Sequence, residues 1–484
     1  MNRKDLAGLV YPEFRFGKTE IEEGLALVEA GAGGFCFYGG TAEEVQSTAH
    51  TLKKAAGRPL LIAADYEEGA GRRVRGMTEL PSNMALGAAD SEEAAFEKGF
   101  ITGREAVSIG VDWVFAPVLD LAVNADNPIV SLRSFGSDAD KVSALAGAFC
   151  DGLMAGGALS SVKHFPGHGR TVTDSHLAMP EINESSEIIR GTDMLPFRRL
   201  LNRTDAVMVG HLLVKAFDDE FPASLSRKII TDLLRGEMKF DETVITDALN
   251  MKALSAWGEP GVLALKAGAD ILLYPENPYS LIQALEKAVE NGEISKNRIK
   301  EAIERQKKLA YRATVLQRAA AGEKEYEGAV TYNLRLAEKS VTVICGRDIL
   351  PQGVPVAYFE PCRSWEEREG KLFTDALEAN GIPVRPYHQG CGLRIVAGIF
   401  SGPQAYSGRI NLSPEQKSVL EKVILEDRKA FVFLFGSPFA LKGIVPEPVN
   451  AFCTYGRLPE FLRAAAAAAA GRGKAEGVLP VDDF

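Results

Sequence analysis

The chain has 484 residues, too many for one ordinary hydrophobic core, so two domains are expected. Apolar residues at 46% and charged residues at 25% exclude a disordered chain or a coiled coil. The formal charge of -10 is not offset by any basic run, which argues against a nucleic-acid partner.

The N-terminal stretch "MNRKDLAGLVYPEFRFGKTEIEEG" reaches charged positions too soon for a secretory apolar region. No window approaches the roughly 18 apolar residues of a membrane span. A cytoplasmic enzyme with no membrane partner is expected. Through the first 275 residues, short runs rich in β-branched and aromatic residues alternate with amphipathic stretches. The runs read as strands are "LAGLV" (6–10), "GFCFYG" (34–39), "LLIAAD" (60–65), "VDWVFAPVLD" (111–120), "LSSVKHF" (159–165), "AVMVGH" (206–211), "TVITD" (243–247) and "ADILLY" (269–274). Eight such units predict an α/β fold, a (β/α)8 TIM-type barrel over residues 1–320.

A doubly wound sheet gives the same local pattern; the polar residues favour the barrel. Asp65, Asp120, Lys163 with His164, His211 and Asp247 fall at or near the C-terminal ends of different runs. In a barrel those ends converge on one face, where loops build the active site. A single polar residue at a strand end is more often a helix cap or a turn former.

Beyond residue 275 come two helices broken near Gly292, and residues 321–333 have linker character. The pattern then restarts with strands near "VTVIC", "VPVAYFE", "LRIVAGIF", "AFVFLFG" and "NAFCTYG". Residues 334–484 are expected to form a smaller α/β sandwich domain with a doubly wound sheet. The run "FLRAAAAAAAGRGKAEG" reads as a docked helix that Gly471 can end. The six cysteines lack metal-type spacing and are expected to be mostly buried thiols.

The stretch "SVKHFPGHGRTVTDSHLAMP" (161–180) holds three of the six histidines. Asp174 and His176 are two positions apart in loop-like surroundings, where a carboxylate can reach an imidazole and fix its tautomer. By itself D-x-H is a weak signal. A metal site from His164, His168, His176 and Asp174 is the rival reading, but the glycines and proline around His168 oppose one helical face, and Lys163 would put a positive charge beside the ion. No metal or cofactor is expected.

The stretch "KHFPGHGRTVTDSH" resembles the signature of the glycoside hydrolase family 3 β-N-acetylglucosaminidases. In order along the chain, "AADYEEG" is similar to the family's substrate-binding aspartate segment, "RSFGSD" to its arginine segment and "VITDALNMKAL" to its nucleophile segment. The resemblance implies Asp247 as nucleophile, His176 as general acid/base and Asp174 as its orienting partner. It further implies that Asp65, Arg133, Lys163 and His164 hold the sugar, with His211 lining the pocket. The implied activity is retaining, exo-acting hydrolysis of N-acetylglucosamine from muropeptides or chitooligosaccharides. A phosphorylase, a β-glucosidase and a non-catalytic sugar-binding barrel are the alternatives on the same scaffold. Two segments depart from the family pattern: "DYEEGAGRRVRG" leaves Arg72 and Arg73 as alternatives for a sugar contact, and "NPIVSLRSFGSD" carries Ser131 and Leu132 before the arginine.

Overall fold

A computed structural model describes residues 2–175, 177–321, 328–402, 410, 412–444, 447, 448 and 450–482. The chain divides into two compact units, one of residues 1–80, 95–121 and 143–326 and the other of residues 81–94, 122–142 and 327–484.

The first unit contains β1 (Val10–Tyr11), β2 (Glu13–Arg15), β3 (Gly34–Tyr38), β4 (Leu61–Ala64), β5 (Trp113–Val114), β6 (Leu159–Phe165), β7 (Glu181–Ile182), β8 (Ala206–Val209), β9 (Leu213–Val214), β10 (Thr243–Thr246) and β11 (Leu272–Leu273). Seven of them form a parallel sheet in the order β10-β8-β6-β5-β4-β3-β2. The sheet curls: β1 pairs with β11, and Ile245 of β10 bridges to Ile271 beside β11. Strands β7 and β9 pair apart from it.

The run "LAGLV" is not the first strand. Residues Arg3–Ala7 are helical, because Asn2 and Asp5 form a reciprocal capping box and Leu6 and Ala7 are buried on that helix. The strand comes later, as β1 and β2, with Pro12 between them lacking a backbone donor.

Side chains alternate across a sheet, and that alternation sorts this one. Tyr11, Cys36, Ala63, Trp113, Leu159 and Met208 share one buried cluster. On the other face Phe14 packs against Phe35 and Phe37, with ring centroids 6.5 and 5.4 Å away. Period two from the first cluster carries Arg15, Tyr38, Asp65, Lys163 and Asp247 onto its face, at the C-terminal ends of their strands.

The N-terminal ends of the same strands are built differently. Asp112, Asp205 and Asp270 stand where β5, β8 and β11 begin, and each accepts the backbone N–H of a neighbouring strand: Ile62 at 2.9 Å, Ser160 at 2.9 Å and Val244 at 3.0 Å. Each also takes a side chain from the helix Lys296–Ala320. Gln317 donates to Asp112 at 2.8 Å, Arg312 reaches Asp205 at 3.3 Å, and Arg298 and Arg305 pair with Asp270. Arg235 adds a third cation to Asp270 at 2.6 Å.

The second unit holds a sheet of β12 (Thr342–Cys345), β13 (Val356–Phe359), β14 (Val384–Pro386), β15 (Arg394–Ile399), β16 (Phe431–Leu434) and β17 (Asn450–Cys453). Their order is β12-β17-β16-β15-β13-β14, parallel except for the edge strand β12. Strand β14 was not foreseen; it is short, ends in Pro386 and lies at the other edge, where a missing donor is tolerated. Phe373 packs on Phe433 and Phe435 with centroids 4.6 and 4.8 Å away. The alanine-rich run forms the helix Pro459–Ala469, which buries Ala465, Ala466 and Ala469.

Segments 81–94 and 122–142, placed within residues 1–320 on the sequence, group with residues 327–484. Ser82 Oγ donates to the Tyr455 carbonyl at 2.7 Å, the Val478 amide donates to the Ala88 carbonyl at 2.9 Å, and the Ser137 amide donates to the Pro480 carbonyl at 3.0 Å. Of the linker 321–333, residues 322–327 lie outside the described residues, and the helix Ala329–Ser340 takes up its end. All six cysteines are free thiols; Cys36, Cys150 and Cys453 are buried, whereas Cys362 is exposed. Among the described residues no helix is long and apolar enough to cross a membrane.

Candidate active site

The C-terminal ends of β4, β6, β8 and β10 bring together most of the residues singled out in the sequence. Lys163, near the end of β6, is buried, and its ammonium lies 2.6 Å from Asp65 Oδ1 and 2.6 Å from Glu67 Oε1. Burying a lysine is costly unless it is paired, and two carboxylates pair it here. Asp65 stays 28% exposed, so the ion pair has a face open to a ligand.

His164 is anchored by Asp120, whose Oδ2 lies 2.6 Å from the ring Nδ1. Asp120 Oδ1 accepts the amides of His164 at 3.2 Å and His168 at 2.6 Å. Burial pushes the Asp120 carboxyl up, but the positive charges of His164 and His168 and these hydrogen bonds hold it below the usual carboxylate range. The Thr171 hydroxyl pairs with His168 Nδ1 at 2.8 Å, so that ring braces the loop. Gly169 explains part of the "PGHG" spelling: a Cβ there would stand 2.0 Å from the Leu121 carbonyl oxygen, beside Asp120.

Asp247 follows β10 and is only partly exposed. Its Oδ1 accepts the Ala248 amide at 2.7 Å. Burial raises its pKa, yet the charges of His164, His211 and Lys163 and the Ala248 amide outweigh burial and bring it to about 2. This carboxylate is therefore ionised across the working range of an enzyme. His211 was expected to line the pocket, but both its ring nitrogens bond protein groups. Nε2 donates to the Ala248 carbonyl at 2.9 Å, and Nδ1 lies 2.7 Å from Ser224 Oγ. A carbonyl accepts only, so the proton sits on Nε2, and the ring steadies the peptide next to Asp247.

Asp174 and Ser175 are buried. The Asp174 carbonyl accepts the amides of Leu177 at 2.8 Å and Ala178 at 3.1 Å, and the Ser175 carbonyl accepts the Ala253 amide at 3.3 Å. This last bond ties the segment to the chain just after Asp247. His176 lies outside the described residues. Arg170 anchors the start of the loop through Asp193 Oδ2 at 2.7 Å and Thr192 Oγ1 at 3.0 Å.

Arg133 falls in the second unit, where its carbonyl accepts from Asn83 Nδ2 at 2.7 Å. Ser131 there has φ +30° and donates to Ser437 Oγ at 3.0 Å. Of the two arginines left open in the sequence, Arg72 pairs with Glu68 at 3.3 Å and Glu79 at 3.2 Å. Arg73 instead lies over the Tyr38 ring at 4.7 Å, which Arg15 also faces at 4.1 Å. The β2–β3 register sets Tyr38 opposite Arg15, and the β3–β4 register carries it level with Asp65. Arg73 is thus the arginine on the side of Asp65.

Sequence reading missed Glu67, the anchoring work of Asp120, and Ser224. One of two adjacent glutamates turns inward here, and nothing in "DYEEG" says which. Asp120 was visible as a polar strand end, but its partners come from another strand.

The family described as "Glycosyl hydrolase family 3 N terminal domain" matches residues 30–309. A beta-hexosaminidase of Tolumonas auensis is 35% identical over 280 residues, 56% of this chain and 83% of that protein. One of Idiomarina loihiensis is 34% identical over 252 residues, 50% of this chain and 76% of that protein. The solved structure of a glycoside hydrolase family 3 beta-N-acetylglucosaminidase from Paenibacillus sp. FPU-7 covers 100% of this chain and 99% of its own, with TM-score 0.86 and 29% identity.

Proposed function

The chain belongs to glycoside hydrolase family 3 and is a glycoside hydrolase, and from that premise we propose that it is a retaining exo-β-N-acetylglucosaminidase acting on muropeptides or chitooligosaccharides. Its curled parallel sheet is read as the (β/α)8 barrel, and its second sheet as the smaller α/β sandwich domain.

In this reading Asp247 attacks the anomeric carbon as the glycosidic C–O bond breaks, giving a covalent glycosyl-enzyme. His176, oriented by Asp174, gives its proton to the leaving oxygen. It then takes a proton from water as that water attacks the anomeric carbon and releases Asp247. Asp65, Lys163 and His164 hold the sugar, joined by Arg73. His211 is reassigned from sugar contact to holding the Ala248 peptide beside the nucleophile.

The observation that carries the reading is Asp247: an ionised carboxylate at a strand end, lowered to about 2 by the cations beside it, with the Asp174–Ser175 segment hydrogen-bonded to the chain that follows. The test is turnover of a chromogenic β-N-acetylglucosaminide. We expect cleavage by the native chain, unaffected by EDTA, and a loss of at least about 1,000-fold in kcat for Asp247→Ala. Unchanged turnover by that variant would remove Asp247 as nucleophile. Preference for the glucoside would reassign the sugar.

A further inference from the structure

Asp120 ends an apolar run and has no exposed surface, yet three hydrogen bonds converge on its two oxygens. All three come from His164 and His168. With the Nδ1 proton directed at Asp120, the His164 ring turns its Nε2 away from that carboxylate. What lies beside it is set by two further strands. Just past β8 the chain passes His164 as Gly210, where an added Cβ would stand 3.1 Å from His164 Cβ. The Asp247 amide donates to the Val209 carbonyl at 3.1 Å, so Asp247, just past β10, lies one strand beyond that glycine. His164, Gly210 and Asp247 thus lie in sequence across neighbouring strand ends, with no side chain from the middle one.

Among the described residues, Asp120 Oδ2 lies 2.6 Å from the ring Nδ1, the His168 ring lies 5.9 Å away between centroids, and the charge of His164 acts on Asp247.

We propose that Asp120 is a positioning residue that holds the His164 ring protonated on Nδ1, with Nε2 presented to the sugar hydroxyl beside Asp247. The inference rests on Asp247 being the attacking residue. It explains why a fully buried carboxylate sits behind the "KHFPGHG" stretch: Asp120 sets both which nitrogen carries the proton and where the ring points.

Asp120→Asn separates this role from simple support. The amide oxygen still accepts the two backbone amides, but its NH2 replaces the acceptor at Nδ1, so the neutral ring must move its proton to Nε2. We expect kcat/KM to fall about 10- to 100-fold, while the melting temperature changes little. The double variant Asp120→Asn/His164→Ala should be no worse than His164→Ala alone. If Asp120→Asn costs the same with and without the His164 ring, Asp120 does not act through it and the proposal fails. Asp247→Asn in parallel tests the reading beneath: full activity there overturns the nucleophile assignment, whereas the cycle still decides the coupling of Asp120 to His164. Should Asp120→Asn not fold, nitrogen NMR of histidine-labelled native enzyme decides. An Nδ1-protonated His164 supports the proposal, and a neutral ring protonated only on Nε2 overturns it.

Discussion

The two ends of the curled sheet carry the same kind of residue and use it in opposite ways. At the N-terminal end Asp112, Asp205 and Asp270 each receive a strand amide and a side chain from the helix Lys296–Ala320. Their negative charge is met from within the fold. At the C-terminal end Asp65 and Glu67 share one lysine, and Asp247 is held ionised by neighbouring cations while staying partly open. A buried carboxylate is therefore not a mark of chemistry; what matters is whether its charge is already used up by the fold. In a parallel barrel the bottom face serves stability and the top face catalysis, and on the proposed barrel reading the hydrogen bonds divide these residues in the same way.

The comparison can be broken by substitution at each end. Lys163→Met should have the largest effect, since it leaves Asp65 and Glu67 facing each other without a cation. We expect kcat/KM to fall about 1,000-fold and stability by about 3 kcal/mol, read by initial rates and by denaturant titration. Asp270→Asn removes the buried carboxylate that three arginines share and should cost about 3 kcal/mol in the same titration while kcat per folded molecule is kept. Asp112→Asn, whose partner Lys53 is 32% exposed, should cost about 1 kcal/mol, again with kcat intact. A loss of kcat larger than the loss of folded protein in either N-terminal-end variant would erase the distinction between the two ends.

The smallest expected effect concerns pH. The folded-state value of Asp247 lies below the ordinary carboxylate range, at about 2. Its ionised form therefore favours the folded state above about pH 4, and that contribution is lost as the pH falls toward its folded value. The pH profile of kcat/KM should show no break from Asp247 above about pH 3. An acid limb near pH 5 that disappears in Asp247→Asn, measured on its residual activity, would contradict this.

Much of the curled sheet was legible because its strands are apolar runs that end in a polar residue, and period two then turns Asp65, Lys163 and Asp247 onto one face. The first strand was misread because "LAGLV" is apolar enough for either state; the deciding residues, Asn2 and Asp5, act through a cap rather than through hydropathy. Asp112, Asp205 and Asp270 left a signal that went unused, an aspartate just before the runs "WVF", "AVMV" and "ILLY". The partners of Asp120 and the inward turn of Glu67 had no such signal, because each depends on which strands become neighbours. His211 shows the opposite limit: its place at a strand end was readable, but the hydrogen bonds that occupy both its nitrogens come from Ser224 and Ala248 in other segments.

The bond from the Ala253 amide to the Ser175 carbonyl bears on how this scaffold can be re-engineered. Loop 166–180 is not a detachable insert, since one of its anchors belongs to the chain that follows Asp247. A chimera that imports that loop from a relative should import the 248–254 stretch in the same exchange, treating the two as one cassette. Swapping either alone would replace one partner of that bond and leave the other fitted to a segment no longer there.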